Sequence, residues 1–295
     1  THILGLIDMD WVNAIVQGVL LGGLYALFAA GLSLIFGVMR LVNIAHGDFI
    51  VLSAYLGLTV VTSTGMHPLL ALIIVVPTMA AIGYFLQRGI LNQTLGDDIL
   101  PPLLVTFGLS VILQNLFLAG YSADPQKMDA GALETASVSV AGLSLGILPL
   151  LTFGIAIVVI ASLQYMFFCT SLGRAFRAVS DNQDIAQLMG LNKRHMFGLA
   201  MAIALGVTAI AGILLGIRTS FDPTAGSARL IFGFEAVIIG GLGNLWGTLA
   251  GGIILGVAQT IGAKIDPGWQ LLSGHIAFLI VLAIRPQGLF PRVSG

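Results

Sequence analysis

Long apolar runs separated by short polar segments are the dominant pattern of this sequence. A helix that crosses a bilayer needs about 20 predominantly apolar residues. Run 49–87 is too long for one such helix, and the turn-forming residues 62–68 divide it into two. The other runs cover 12–39, 99–120, 143–168, 196–217, 231–263 and 268–284. The pattern therefore predicts an all-α, polytopic transmembrane helical bundle with about eight membrane segments, forming a single domain over residues 1–295.

Segment 231–263 is expected to be broken or re-entrant. It is longer than one span requires, and it contains the motif Gly240-Gly-Leu-Gly-Asn-Leu-Trp-Gly247. Glycine weakens a helix and permits backbone conformations that other residues avoid. A helical hairpin at this point would enter and leave the membrane on the same face.

Composition excludes a soluble protein and several kinds of chemistry. Of the 295 residues, 57% are apolar and 8% are charged, whereas soluble domains have about 25% charged residues. The 38 glycines indicate closely packed membrane helices. A net charge of −1 without a basic tail gives no indication of nucleic-acid binding. With one cysteine, no phosphate-binding loop and no metal-binding motif, we expect no catalytic residue, no metal site and no cofactor bound by this chain.

Basic residues predict the orientation, because cytoplasmic loops of membrane proteins are enriched in lysine and arginine. If the polar residues 170–195 are cytoplasmic, the inside set is Arg40, Arg88, Arg174, Arg177, Lys193, Arg194, Arg285 and Arg292. The outside set is Lys127, Arg218, Arg229 and Lys264. The amino terminus, with Asp8 and Asp10, is therefore predicted to lie outside, and the carboxyl terminus is predicted to be cytoplasmic.

Residues 170–195, here called the docking stretch, form a polar insertion longer than two adjacent spans require. Ser180 is the predicted N-cap of a short helix, with Gln183 as its capping-box partner, and Gly190 is placed to end that helix. Two interpretations are open: the helix seats in a groove of a soluble partner, or it lies on anionic lipid. Under the first, the coupling residues are Arg174, Arg177, Ser180, Asn182, Ile185, Ala186, Leu188, Met189 and Gly190. The apolar side chains form a ridge, the charged ones position the stretch, and the small ones admit the partner's surface.

Several polar residues fall at the edge of the apolar layer or inside it. Intramembrane ionisable groups are candidates for function, and unwound backbone is tolerated there only against protein or water. The candidates for a translocation pathway are Asn43, His46, Asp48, Glu235, Gly240, Gly241, Gly243 and Asn244. The alternative for the first three is a structural cap on a helix that begins at Asp48. The alternative for Glu235 is an ion pair with Arg229, while His67 and His275 are predicted to be turn and packing residues.

Blocks spread over nearly the whole chain resemble one family. They are Gln17-Gly-Val-Leu-Leu-Gly-Gly-Leu-Tyr-Ala-Leu27, Asn43-Ile-Ala-His-Gly-Asp48, Gly173-Arg-Ala-Phe-Arg-Ala-Val-Ser-Asp-Asn182, Gly233-Phe-Glu-Ala236, the 240–247 motif and Arg285-Pro-Gln-Gly-Leu-Phe290. In this order they resemble the branched-chain amino acid class of ABC importer permeases, in particular the member without a long amino-terminal extension.

This resemblance implies a permease subunit of an ATP-driven importer in a bacterial inner membrane, which moves small amino acids by alternating access. The implied partners are a sister permease, two ABC ATPase subunits that carry the ATP and Mg²⁺, and a periplasmic substrate-binding protein. It also identifies the docking stretch as the cytoplasmic coupling loop. The competing interpretation is an ion-coupled carrier or channel without ATPases. Such a protein needs ionisable groups inside the membrane, for which Asp48 and Glu235 are the available residues.

Overall fold

The computed structural model describes the backbone of residues 2–96, 98, 100–140 and 143–290. The positions predicted for the Asp8 side chain and for Arg292 lie outside the described residues. The helices of the first half are α1 (His2–Met39), α2 (His46–Thr64), α3 (Pro68–Gly89), α4 (Leu100–Tyr121), α5 (Ala132–Thr135) and α6 (Ile147–Cys169). Those of the second half are α7 (Ser171–Asp181), α8 (Gln183–Leu188), α9 (Lys193–Arg218), α10 (Gly226–Gly240), α11 (Leu245–Ile265) and α12 (Gln270–Ile284).

The predicted number of spans is confirmed in the described part of the chain. Eight helical segments there are long and apolar enough to cross a membrane. The turn at 62–68 separates α2 from α3, as predicted, and His67 caps α3 by accepting a hydrogen bond from the Leu69 amide. Segment 231–263 contains one of the eight spans, α11, together with most of α10, which is too short to be counted.

The break predicted in segment 231–263 lies at residues 241–244, between α10 and α11. Gly241 and Gly243 have φ angles of +104° and +78°, which favour glycine. The two helices return antiparallel, because Gly240 lies against Gly247 and Gly251 against Ala236. The predicted hairpin is confirmed, but its first helix begins earlier than residue 231.

The apolar runs 196–217 and 231–263 predict a loop from Arg218 to Arg229, and both of its boundaries were wrong. Arg229 lies inside α10, and Arg218 is the last residue of α9, so neither belongs to a loop. Both side chains are only partly exposed. The prediction failed because charged residues were used to mark the ends of apolar runs, whereas a helix continues through an arginine that is covered by its neighbours.

The centre of the bundle is built on α1 and α9, whose apolar windows are mostly buried. Helix α1 runs antiparallel to α11 across a stripe of glycines. A Cβ atom added to Gly22 would lie 2.5 Å from the Cα atom of Ile253, and one added to Gly256 would lie 2.3 Å from the carbonyl oxygen of Gly18. The helices therefore touch backbone to backbone, which small residues permit in membranes. Helices α3, α4, α6 and α12 lie at the periphery.

The polar residues 121–142, between two apolar runs, are predicted to be an acidic loop, but this region and the four residues after it contain more structure than a loop. After α5 comes an antiparallel hairpin of β1 (Ser137–Val140) and β2 (Leu143–Gly146). Hydrogen bonds from the Ala130 amide and the Lys127 ammonium lower the pKa of Glu134 and tie the segment together. Four-residue strands are too short to give a recognisable alternating pattern.

Candidate functional site

The docking stretch contains two helices, α7 and α8, and the predicted N-cap was wrong. Ser180 lies inside α7, where its hydroxyl donates a hydrogen bond of 2.8 Å to the carbonyl oxygen of Gly37. Asn182 caps α8 instead, because its Oδ1 accepts from the amides of Asp184 and Ile185, at 3.0 Å each. Asparagine is as good an N-cap as serine, and here the serine is engaged by α1. Ser180 thus joins the docking stretch to the most buried part of the bundle.

Helix α8 presents the predicted apolar ridge on its outer surface. The side chains of Ile185, Leu188 and Met189 are 58%, 86% and 79% exposed. Gly190 ends the helix with a φ of +87°, as predicted. Ala186 packs inward and is buried, so it does not admit a partner's surface as expected. Three large apolar side chains exposed together mark an interaction surface, either for a protein partner or for lipid.

The two arginines of α7 have different surroundings. Arg177 donates a hydrogen bond to the carbonyl oxygen of Phe167, and its guanidinium lies 5.2 Å from the ring centroid of Phe168. It therefore holds α7 against the end of α6 rather than facing outward. Arg174 is exposed on the same docking stretch. A coupling role for either arginine stays a prediction.

A second group of predicted residues lies where α2 begins. Residues 40–45 are not helical, and α2 starts at His46, two residues before the predicted start. The His46 Nε2 lies 3.0 Å from the carbonyl oxygen of Phe28, and Asn43 Oδ1 accepts a 3.0 Å hydrogen bond from the Ala45 amide. Along α1, Phe28 lies about 16 Å before the end of the helix at Met39, at 1.5 Å per residue. Because His46 contacts Phe28, the chain must turn back into the bundle before α2 begins.

Asp48 connects three helices at this point. Its Oδ2 accepts a 2.5 Å hydrogen bond from Ser110, and its Oδ1 accepts a 3.1 Å hydrogen bond from Gln114, both on α4. The start of α10 also packs here, because a Cβ atom on Gly47 would lie 1.9 Å from the carbonyl oxygen of Gly226. These contacts agree with the alternative in which Asn43, His46 and Asp48 form a structural cap at the start of α2. A pathway role for Asn43, His46 and Asp48 stays a prediction.

Replacing Asp48 with alanine is expected to destabilise the bundle. Ser110 and Gln114 would lose their acceptor, and a buried polar group without a partner costs about 1–3 kcal/mol. The thermal unfolding midpoint in detergent should fall, whereas Asp124→Ala, at an exposed position, should leave it unchanged. Equal midpoints for both variants would show that the Asp48 contacts contribute no stability.

The glycine break lies at the same end of the bundle as the docking stretch. A Cβ atom added to Gly37 would lie 3.4 Å from the Cα atom of Gly243. The carbonyl oxygen of the same Gly37 accepts the hydrogen bond from Ser180. Asn244 Oδ1 accepts from the Gly247 amide at 2.9 Å and so caps α11. The break is therefore a turn at one end of the hairpin, and a pathway role for Gly240, Gly241, Gly243 and Asn244 stays a prediction.

The segment after α12 closes over this turn, a contact that sequence reasoning missed. The amides of Leu289 and Phe290 donate to the carbonyl oxygens of Ile239 and Gly240 at 2.9 and 3.2 Å. Asn244 also donates to the Phe290 carbonyl oxygen at 2.9 Å. These bonds satisfy carbonyl groups at the end of α10, which a helix leaves without partners. The sequence of block 285–290 indicates only the family resemblance and gives no sign of this contact.

Glu235 is paired with His275 and not with Arg229. The His275 Nδ1 lies 2.5 Å from Glu235 Oε1. Residues six apart on a helix leave it in directions about 120° apart, and among the described residues Arg229 forms no ion pair with Glu235. His275 therefore does more than pack, and no signal along the sequence connects positions 235 and 275.

The eight candidate spans place this chain in the class of polytopic, all-α membrane proteins. The sequence profile of the family described as "Branched-chain amino acid transport system / permease component" matches residues 14–284. The chain therefore belongs to this family.

Named relatives support this assignment. The high-affinity branched-chain amino acid transport system permease protein BraD of Pseudomonas aeruginosa is 27% identical, with 96% of both chains covered. The corresponding protein LivH of Escherichia coli K12 is 25% identical, with 94% of both covered. The fructose import permease protein FrcC of Rhizobium meliloti is 29% identical over 86% of this chain and 72% of the relative. No solved structure matches the chain significantly.

Proposed function

We propose that this chain is a permease subunit of an ATP-driven importer that moves branched-chain or related small amino acids across a bacterial inner membrane. The observation that carries the proposal is the exposed ridge of Ile185, Leu188 and Met189. It stands on a helix pair bonded to α1 through Ser180 and Gly37. Family membership supports the transport role, and the names of BraD and LivH support amino acids as the substrate.

The proposed mechanism is alternating access without bond chemistry in this chain. An ATPase subunit binds the ridge on α8, and closure of the ATPase pair displaces α8. The displacement passes through α7, whose Phe176 and Val179 are fully buried, and through the Ser180 bond to α1. The ATPase can shift the equilibrium between the two states only through contacts that differ between them.

The proposed assembly contains a sister permease, two ATPase subunits and a periplasmic binding protein. The docking stretch, the 241–244 turn and residues 285–290 share one end of the bundle, and the larger number of basic residues predicted there supports a cytoplasmic location for it. The contact between Lys264 and Asp10 lies at the opposite end, which the proposed assembly assigns to the periplasmic side. Sugar import permeases are among the relatives, so the fold alone does not select the substrate.

Reconstitution tests this proposal directly. The chain, co-expressed with a sister permease and ATPase subunits, should purify as one complex. In proteoliposomes supplied with the binding protein, that complex should take up radiolabelled L-leucine only when ATP is present on the ATPase side. Uptake that ignores ATP and follows a proton or sodium gradient would establish the ion-coupled carrier instead.

A further inference from the structure

A partly buried group of polar side chains lies where α1, α10, α11 and α12 meet, close to the end of α9. Its members, here called the polar cluster, are Tyr25, Arg218, Arg229, Glu235, Gln259 and His275. Tyr25 donates a 2.5 Å hydrogen bond to Gln259 Oε1. The charges of Arg218, Arg229 and Glu235 lie within electrostatic reach of the Tyr25 hydroxyl. Tyr25 is near the middle of the span Asp10–Met39, so the cluster lies inside the membrane.

Four polar atoms of the polar cluster are buried without a hydrogen-bond partner. They are Nη1 of Arg218, Nε of Arg229, Oε2 of Glu235 and Nε2 of Gln259. Buried polar atoms in native proteins almost always have a partner. Here three donors and one acceptor in the same region have no partner. A small polar ligand with acceptor atoms and a donor group would provide hydrogen-bond partners for them.

The charges of the polar cluster are also incompletely matched. Within the described residues, neither Arg218 nor Arg229 has a carboxylate within 4.0 Å, whereas Glu235 has His275. Arginine and glutamate inside a membrane are costly, usually pair with one another or with backbone carbonyls, and mark substrate or ion pathways. The two guanidinium groups thus lack an anion, and the second oxygen of Glu235 lacks a donor.

His275 indicates how a ligand would reach the polar cluster. Its side chain is 41% exposed on α12, a helix at the periphery whose residues after His275 are all apolar. Ionisable side chains in membrane helices face protein or a water-filled cavity rather than lipid. This exposure suits a face of α12 that is covered by the sister permease of the proposed assembly, with Glu235 paired to His275 on the inner side.

We propose that the polar cluster is a transient binding site for the zwitterionic backbone of an amino acid during translocation. The guanidinium groups of Arg218 and Arg229, together with the Gln259 amide, bind the α-carboxylate. Glu235, held by His275, binds the α-ammonium group. This inference rests on the proposed function, and it names the chemistry by which the permease itself recognises its substrate class. Neutral sugars carry neither charge and would leave the cluster unmatched.

Charge-neutralising variants of the complete transporter test the inference. Arg229→Gln and Glu235→Gln should lower L-leucine uptake per ATP hydrolysed by about tenfold, because each removes a hydrogen bond to a charged group. ATP hydrolysis stimulated by the binding protein should persist, since the docking stretch is untouched. Arg229→Lys, which keeps the charge, should recover part of the uptake. Arg88→Gln, on α3 and outside the polar cluster, is the matched control and should transport like the wild type.

Thermal unfolding of the wild-type complex provides a second measurement that needs no variant. Millimolar L-leucine should raise the midpoint, whereas isoamylamine, which lacks the carboxylate, and 4-methylpentanoate, which lacks the ammonium group, should not. Equal shifts with all three compounds, or Arg229→Gln and Glu235→Gln variants that assemble and transport within twofold of the wild type, would overturn the inference. ATP-dependent leucine uptake by the wild type would still stand in that case. Its absence from the wild type would instead reject the proposed function.

Discussion

Arginine in place of Leu188 is expected to reduce ATP-driven uptake to background while the permease still folds in the membrane. Leu188 is 86% exposed and contacts little of its own chain, so the bundle tolerates a change there. At a protein interface, however, an apolar anchor carries a large share of the binding energy. A guanidinium group at that point would be desolvated without a partner, which is strongly unfavourable.

Co-purification separates this effect from a folding defect. Leu188→Arg should elute as a monodisperse membrane protein without the ATPase subunits, and uptake in proteoliposomes should be lost. Gln187→Arg, on the same helix and also exposed, introduces the same charge away from the ridge and should retain both. If Leu188→Arg retains the ATPase and transports normally, α8 is not the coupling element. The interfacial-lipid interpretation of the docking stretch would then be preferred.

Leucine in place of Gly256 is expected to prevent assembly of the bundle. A Cβ atom there would lie 2.3 Å from the carbonyl oxygen of Gly18 and 2.7 Å from the amide nitrogen of Gly22. Both are backbone atoms, so relief requires α1 and α11 to separate, which forfeits the close packing that holds membrane helices together. Overpacking in a core costs about 1–3 kcal/mol, and more where backbone must move.

Fluorescence-detected size exclusion of detergent extracts measures this outcome. Gly256→Leu should give little monodisperse protein, whereas Gly108→Leu, where no atom lies within 4 Å of an added Cβ, should behave like the wild type. Comparable elution profiles for the two variants would mean that α1 and α11 are not held at the distance described above.

The spans were predictable from the sequence because each depends on a local property, an apolar run of sufficient length. The same holds for the turn at 62–68, the break at 241–244 and the end of α8 at Gly190, where glycine or proline determines the backbone locally. The apolar ridge of residues 185, 188 and 189 was also predictable, because residues three and four positions apart share one face of a helix.

What failed depends on partners that are distant in sequence. Ser180 and Asn182 are equivalent caps by local criteria, and the contact with Gly37 decides between them. Glu235 has a nearby arginine in sequence, yet it pairs with a histidine forty positions later. The members of the polar cluster come from five helices, and Tyr25 and Gln259 become neighbours only when α1 packs against α11. No periodicity or spacing indicates such an arrangement.

The antiparallel contact between α1 and α11 also constrains how the protein is made. Gly22 and its neighbour Gly252 are separated by most of the chain. At translation rates of about 5–20 residues per second, the ribosome needs on the order of 10–50 s to synthesise the intervening residues. During that interval the glycine stripe of α1 has no native partner, so a surface made for backbone contact must be shielded by lipid or by the insertion machinery until α11 emerges.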